Sequence, residues 1–248
     1  RQVSSAASDV YKRQLLFGDD DLQKTLMIVN TAGHDTDCNS GNVGCIMGIK
    51  NGLEGLRNGP DYLTPIQDRM YCPTANGGET QTDALTEAYK VINTAKKMNK
   101  EETVEPKNGS RFHFEMPGSV QGWRSSFKNN KNISTIVQNT EYESSIGKRA
   151  LEIKFDRVAP GVCSEAVVDT FFPQELYELT GSARERFFQS YNFISCPLLY
   201  SGQNIESEII FKSNSQKPIT VTCFINVFGE EDNYERINSC LLYTSPSP

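Results

Sequence analysis

The chain lacks the long apolar run that a membrane span needs. No stretch approaches the ~20 consecutive apolar residues of a transmembrane helix, so we expect no membrane-spanning segment. It also lacks a basic cluster, and its formal net charge is −6. Because nucleic-acid-binding proteins carry a basic patch, we expect no nucleic-acid partner. No internal repeat is visible.

Paired cysteines are missing as well. There are seven cysteines in the chain, but no Cys-x-x-Cys pair and no regular ladder of spacings. Such a pattern predicts neither a structural zinc site nor a disulfide framework. We expect the following six to be mostly buried free thiols: Cys38, Cys45, Cys72, Cys163, Cys196 and Cys223.

The two ends of the chain resemble translated sequencing adapters. One codon choice for residues 9–14 gives an oligonucleotide whose reverse complement, shifted by one base, reads Cys-Leu-Leu-Tyr-Thr-Ser, as at residues 240–245. We therefore expect residues 1–14 and 240–248 not to be native and exclude them from fold reasoning. The natural part is then expected to be an internal fragment of a longer protein, which leaves the compartment open between cytoplasm and periplasm or exterior.

Helical periodicity dominates the first part of the chain. The first predicted helix follows an acidic start, and its apolar residues at i, i+4 and i+7 are Leu22, Leu26 and Val29. A second helix is predicted over about 37–57, with an apolar face made of Ile46, Ile49, Leu53 and Leu56. A third is predicted over about 83–98, with Thr80 and Asp83 as a candidate capping box.

Beyond this helical part the period changes to two. Residues 99–110 are charged, then rich in Pro, Asn and Gly, and predict a linker. Alternating apolar residues follow in three runs: Phe112, Phe114 and Met116; Leu151, Ile153 and Phe155; Ile219, Val221, Cys223, Ile225 and Val227. Short alternating runs separated by turn residues predict an antiparallel β-sandwich over 111–239.

A carboxylate pair stands where the second helix begins. Asp35 and Asp37 lie in the motif Gly33–Asn39, Gly-His-Asp-Thr-Asp-Cys-Asn. An Asp before a helix commonly caps it, whereas two converging carboxylates suit Mg²⁺, whose remaining ligands are waters. The residues alone leave both interpretations open. Five glycines follow at spacings of three or four, Gly41, Gly44, Gly48, Gly52 and Gly55, and predict close packing of another helix.

The motif and its glycine helix resemble the C-terminal signature of the ADP-ribosylglycohydrolase family over residues 15–98. This resemblance implies an all-α domain and a site for two Mg²⁺ ions, with Asp35 and Asp37 as ligands. Many relatives carry a ligating Thr where this chain has Cys38, and a soft thiol is a poor Mg²⁺ ligand, so water is the alternative there. His34 and Thr36 flank the ligands as candidate substrate contacts.

The resemblance implies Mg²⁺-dependent hydrolysis of the glycosidic bond in ADP-ribosylated protein, of the ADP-ribosyl-arginine type, or in a related ADP-ribose conjugate. The other metal ligands of the family lie in an N-terminal acidic motif that has no equivalent in this chain. We therefore expect the catalytic residues to lie outside the chain and the fragment alone to be inactive.

The second part of the chain resembles the jelly rolls of carbohydrate-binding modules. The resemblance covers about residues 110–239 and implies a sugar partner, with Trp123 and Tyr200 as candidate stacking residues. A purely structural appendage is the alternative. Two other functions stay open: a secreted glycoside hydrolase of the same fold that acts on glycans, and a family member without activity.

Overall fold

The computed structural model of the chain divides into two units, residues 1–200 and 201–248. The residues described are 15–33, 35–72, 77–126, 128–129, 134–156, 159, 161–171, 179–190, 196–214, 219–228 and 234–241.

Helices and strands are mixed along the first unit. Its helices are α1 (Leu22–Thr31), α2 (Thr36–Arg57), α3 (Ala84–Met98) and α4 (Gly181–Ser190). Its strands are β1 (Arg69–Tyr71), β2 (Gln81–Asp83), β3 (Arg124–Ser125), β4 (Ser134–Glu141), β5 (Arg149–Asp156) and β6 (Ala166–Val167). Two 3₁₀ turns lie at Gly77–Glu79 and Pro106–Gly109. The second unit holds β7 (Thr222–Phe228) and β8 (Tyr234–Leu241).

The first two helices form a hairpin around a small apolar core. Asp21 caps α1 by accepting a 2.6 Å hydrogen bond from the backbone N–H of Lys24. The buried core residues of the pair are Leu22, Val29, Val43 and Met47. The bounds predicted for the second helix, about 37–57, are confirmed. The hairpin fixes where the motif residues stand.

The buried face of α2 is not the face that periodicity predicts. Met47 is 2% exposed, whereas Ile49 is 87% exposed. The predicted close packing on the glycines is also wrong for Gly41, Gly44 and Gly48. Apart from the backbone of the same helix, no heavy atom of the described residues lies within 4 Å of the point that a Cβ would occupy there. Gly52 instead has φ +63°, which interrupts the helical geometry of α2.

The prediction that residues 15–98 are all-α is wrong. An antiparallel ribbon lies between α2 and α3, in which Arg69 of β1 pairs with Asp83 of β2. Asp83 then starts α3 directly, because its Oδ1 accepts a 2.8 Å hydrogen bond from the N–H of Thr86. The cap is thus Asp83 itself, and the ribbon makes this part a mixed α/β structure.

Residues 111–124 fold back onto the ribbon through side chains that bind backbone. Oδ2 of Asp68 accepts hydrogen bonds from the Oγ of Ser119 and from the N–H groups of Val120 and Gln121. Oε1 of Gln121 accepts from the N–H groups of residues 113 and 114. The strand predicted for residues 112–116 is therefore wrong, because these N–H groups bind a side chain rather than a neighbouring strand.

The predicted β-sandwich is wrong too. Among the described residues, the later strands pair only two by two, as β3–β6, β4–β5 and β7–β8, all antiparallel. The helix α4 lies where the sandwich was predicted. Ile225 and Ile237 face each other across β7–β8, yet they are 40% and 58% exposed, so this face is not covered by a second sheet of the described chain.

The six cysteines of the predicted native part are free thiols, as predicted. Their burial is not as predicted, because only Cys72 is partly buried and the others are exposed. The predicted adapter segment of residues 1–14 lies outside the described residues. At the other end, β8 extends to Leu241, which pairs with Thr222.

Candidate metal centre

The turn that joins α1 to α2 brings the motif carboxylates together. Gly33 and Asp35 adopt positive φ angles of 74° and 44°, which reverse the chain before α2 begins at Thr36. One ligand atom from each of Asp35, Asp37 and Cys38 lies within 4.8 Å of the other two. All three residues are exposed. The local backbone therefore places two carboxylates and one thiol around one point at the surface.

Asp35 occupies the N-cap position of α2 without capping it through its side chain. Its backbone carbonyl accepts a 3.1 Å hydrogen bond from the N–H of Asn39, but its carboxylate makes no capping hydrogen bond. The side-chain cap interpretation of Asp35 is therefore wrong. A left-handed conformation is uncommon for a residue with a Cβ, although Asp tolerates it better than most.

Asp37 stands in the first turn of α2. Carboxylates are stabilised there by the partial positive charge at the helix N-terminus, by about 0.3–1 kcal/mol at exposed positions. This local effect explains an acidic residue at that position without any bound ion. It is independent of the convergence with Asp35, which comes from the turn.

The two neighbouring carboxylates favour the protonated thiol form of Cys38. A hydrogen bond with the Asp35 carboxylate raises the pKa of Cys38 above its ordinary value, and the negative charges of Asp35 and Asp37 raise it further. Since the thiolate is the form that binds metals, this environment opposes coordination by sulfur. The donor set thus fits Mg²⁺ through the carboxylate oxygens, with water at the remaining positions, and does not fit it through Cys38.

Of the other predicted site residues, Thr36 adjoins this centre in the chain, whereas Trp123 and Tyr200 belong to later segments. His34 lies outside the described residues. Thr36 is the first residue of α2 and is half-buried. Trp123 is partly buried, and its ring packs edge-on against Phe112 at a centroid distance of 5.9 Å. Tyr200, at the end of the first unit, is 69% exposed.

A second cluster of functional groups had no signal in the sequence. Arg69, Arg111 and Asp169 line one cleft beside the β1–β2 ribbon. Their spacing of several tens of residues matches no motif, and only the packing of residues 111–124 on the ribbon brings them together.

Comparison of the chain with known protein families, curated proteins and solved structures gives no match. Within the described ranges, no helix combines the length and the apolar character needed to cross a bilayer. The functional proposal therefore rests on the motif Gly33–Asn39 and on the geometry of its side chains.

Proposed function

We propose that this chain is part of a Mg²⁺-dependent hydrolase of the ADP-ribosylglycohydrolase type. Its substrate is ADP-ribosylated protein, with the bond to arginine as the first candidate, or a related ADP-ribose conjugate. The observation that supports the proposal is the convergence of Asp35, Asp37 and Cys38 within 4.8 Å in a motif that resembles the signature of that family.

In this proposal Asp35 and Asp37 hold the metal, and Cys38 does not. The Cys38 thiol hydrogen-bonds Asp35 and so orients that carboxylate instead of ligating. Bound Mg²⁺ would polarise substrate oxygens and activate water. The family site holds two ions, and we expect the remaining ligands to come from an acidic Thr-Asp-Asp-type motif that this chain does not contain.

Metal binding can be tested on the chain as it stands. Mn²⁺, used as a paramagnetic substitute for Mg²⁺, is expected to broaden the amide signals of residues 35–39 at low occupancy. Asp35→Asn and Asp37→Asn are expected to abolish the broadening. Glu54→Gln is the matched control, because Glu54 is an exposed carboxylate on the same helix and is 81% exposed at its side chain.

Equal broadening in the wild type and in both Asn variants would remove the ligand assignment. Broadening that spreads over many exposed carboxylates, including Glu54, would show non-specific ion binding and would also count against the assignment. A competing titration with Mg²⁺ should reverse the Mn²⁺ effect.

Activity needs the intact protein with its acidic motif. We expect that protein to release ADP-ribose from ADP-ribosylated arginine only when Mg²⁺ is present, and we expect Asp35→Ala or Asp37→Ala to abolish the release. Unchanged activity in either variant would refute the ligand assignment. The present chain alone is expected to be inactive, so turnover by it would show that the site is more complete than proposed.

A non-catalytic member of the same family is the second candidate. It is favoured by Cys38, which stands where many relatives supply a ligating hydroxyl. The two candidates differ in one measurement. Metal binding together with ADP-ribose release by the intact protein supports the hydrolase, whereas metal binding with no release supports the non-catalytic candidate.

A further inference from the structure

The cleft beside the β1–β2 ribbon is independent of the metal centre and of the hydrolase proposal. Its enclosed part is small, about 20 Å³, and the rest of the cleft is open to solvent. The charged side chains that line it are those of Arg69, Arg111 and Asp169, and apolar contacts come from Met70 and Val168. Two cations and one anion thus face a cleft in an otherwise acidic chain.

Arg69 has most of its donors unused. A guanidinium carries five N–H donors in a fixed planar fork. The Nε of Arg69 donates a 3.2 Å hydrogen bond to the carbonyl of Ile66, and its Nη1 lies 3.8 Å from the Oδ2 of Asp169, beyond hydrogen-bond distance. Within the described chain the two Nη groups therefore donate no hydrogen bond, and the side chain is 34% exposed.

Arg111 is anchored at one side of its guanidinium only. Its Nη1 donates to the Oδ2 of Asp83 at 2.9 Å and to the Oγ1 of Thr86 at 2.8 Å. Its Cζ lies 5.0 Å from the centroid of the Phe112 ring. This contact helps to fix the orientation of the guanidinium plane. Among the described residues its Nε and Nη2 have no acceptor, so this arginine is both positioned and able to bind.

The charges of the cleft leave one cation unmatched. Asp169 is ion-paired with Arg124, whose Nη2 lies 3.0 Å from Oδ1, and both side chains are largely buried. Asp83, which is buried, is paired with the more exposed Arg111. Among the described ion pairs, Arg69 has only the Asp169 oxygen at 3.8 Å, which Asp169 shares with its closer partner Arg124. An anion of a single charge would balance this site, whereas a dianion would leave an excess of negative charge beside Asp169.

We propose that this cleft binds a small monocarboxylate, held by the forks of Arg69 and Arg111 with its apolar part against Met70 and Val168. Planar carboxylates accept two parallel hydrogen bonds from a guanidinium, which is the geometry that the unused donors offer. The apolar lining suits an organic acid rather than an inorganic ion. Sequence spacing gave no sign of this site.

The test is a titration of the whole chain with acetate at constant ionic strength, followed by ¹H–¹⁵N NMR. Saturable shifts are expected at the Nε–Hε of Arg69, the amide of Gly122 and the indole of Trp123, which adjoins Gly122. Arg69→Gln is expected to weaken acetate binding by about tenfold or more, as for loss of a charge-assisted hydrogen-bond pair. Arg69→Lys should weaken it less, because the charge remains and the fork is lost.

Arg57→Gln is the matched control, since Arg57 is exposed and pairs only with Glu54 on its own helix. It is expected to bind acetate like the wild type. The absence of saturable shifts, equal binding by Arg69→Gln in a sample with unchanged amide dispersion, or tighter binding of phosphate than of acetate would each overturn the proposal.

Discussion

The guanidinium of Arg111 lies 2.9 Å from the carboxylate of Asp83, which is 1% exposed and also caps α3. One buried carboxylate thereby joins the end of the ribbon, the start of a helix and a residue 28 positions later in the chain. This contact connects the helical part to residues 111–124, on the far side of the segment that the composition predicts as a linker. The helical part and residues 111–124 therefore contact each other through buried polar groups within the first unit.

Replacing Asp83 should therefore destabilise the first unit strongly. Asp83→Ala removes a helix cap and a charge-assisted hydrogen bond, and we expect a loss of about 2–4 kcal/mol in the free energy of unfolding. Asp83→Asn keeps the cap and should cost less. Urea unfolding followed by circular dichroism measures both, and equal stability of the Ala variant and the wild type would contradict the role given to this contact.

The two faces of α2 offer a direct comparison. Met47→Ala is expected to cost about 2–5 kcal/mol, because Met47 is buried in the α1–α2 core. Ile49→Ala should change stability by about 0.5 kcal/mol or less, because Ile49 is almost fully exposed. Thermal unfolding of the two variants in parallel measures the difference. A larger effect at Ile49 would mean that the face predicted by periodicity is the packed one.

His113 should make the stability depend on pH. Burial lowers the pKa of His113, against the charges of Asp83 and Glu115 that raise it, while the charge of Lys107 lowers it. Below the unfolded-state value of about 6.5 the unfolded chain binds the proton first, so stability is lost as the pH falls through that value. The Nδ1 of His113 accepts a 3.1 Å hydrogen bond from the N–H of Glu115, and protonation of that nitrogen would remove the acceptor.

The measurement for His113 is an NMR titration of its ring protons, alongside the melting temperature between about pH 5 and 7. We expect His113→Asn to flatten the pH dependence of the melting temperature. A ring that titrates at or above the ordinary histidine value would refute the prediction.

The reactivity of Cys38 should report on metal binding at the proposed site. Because Asp35 and Asp37 raise the pKa of the Cys38 thiol, its alkylation by iodoacetamide at neutral pH should be slow. Bound Mg²⁺ would offset the carboxylate charges and speed the reaction. Peptide mass spectrometry measures the rate at this site.

The control for Cys38 is Asp35→Asn, which should alkylate faster than the wild type without Mg²⁺ and should no longer respond to the ion. Slower alkylation on addition of Mg²⁺ would indicate that the sulfur itself is shielded by coordination. Such a result would contradict the role assigned to Cys38.

Local signals in the sequence predicted the first three helices but not α4, which lies where a β-sandwich was predicted. The acidic cap before Leu22 and the periodic apolar residues placed α1 and α3, and the motif at Gly33–Asn39 placed the start of α2. Caps and periodicity act within a turn or two of the chain, so they are visible without knowledge of the fold. Alternation likewise marked β5, because it records two different faces of one strand.

Contacts between residues that are distant in the chain could not be predicted in the same way. Periodicity predicted an apolar face of α2 that includes Ile49, but packing against α1 buries Val43 and Met47 instead. The strand predicted near Phe114 failed because the side chain of Gln121 bound its backbone instead. A strand pattern also does not state which strand it pairs with, so two-stranded ribbons and a sandwich look alike in the sequence.

The sequence by itself determined the carboxylate pair at Asp35 and Asp37 and the turn that presents it, since all of these lie within a few residues of one another. Only the tertiary structure formed the cleft of Arg69 and Arg111 and the contact between Asp83 and Arg111. These groups are distant in the chain, and they meet because buried polar atoms must find hydrogen-bond partners wherever the fold provides them.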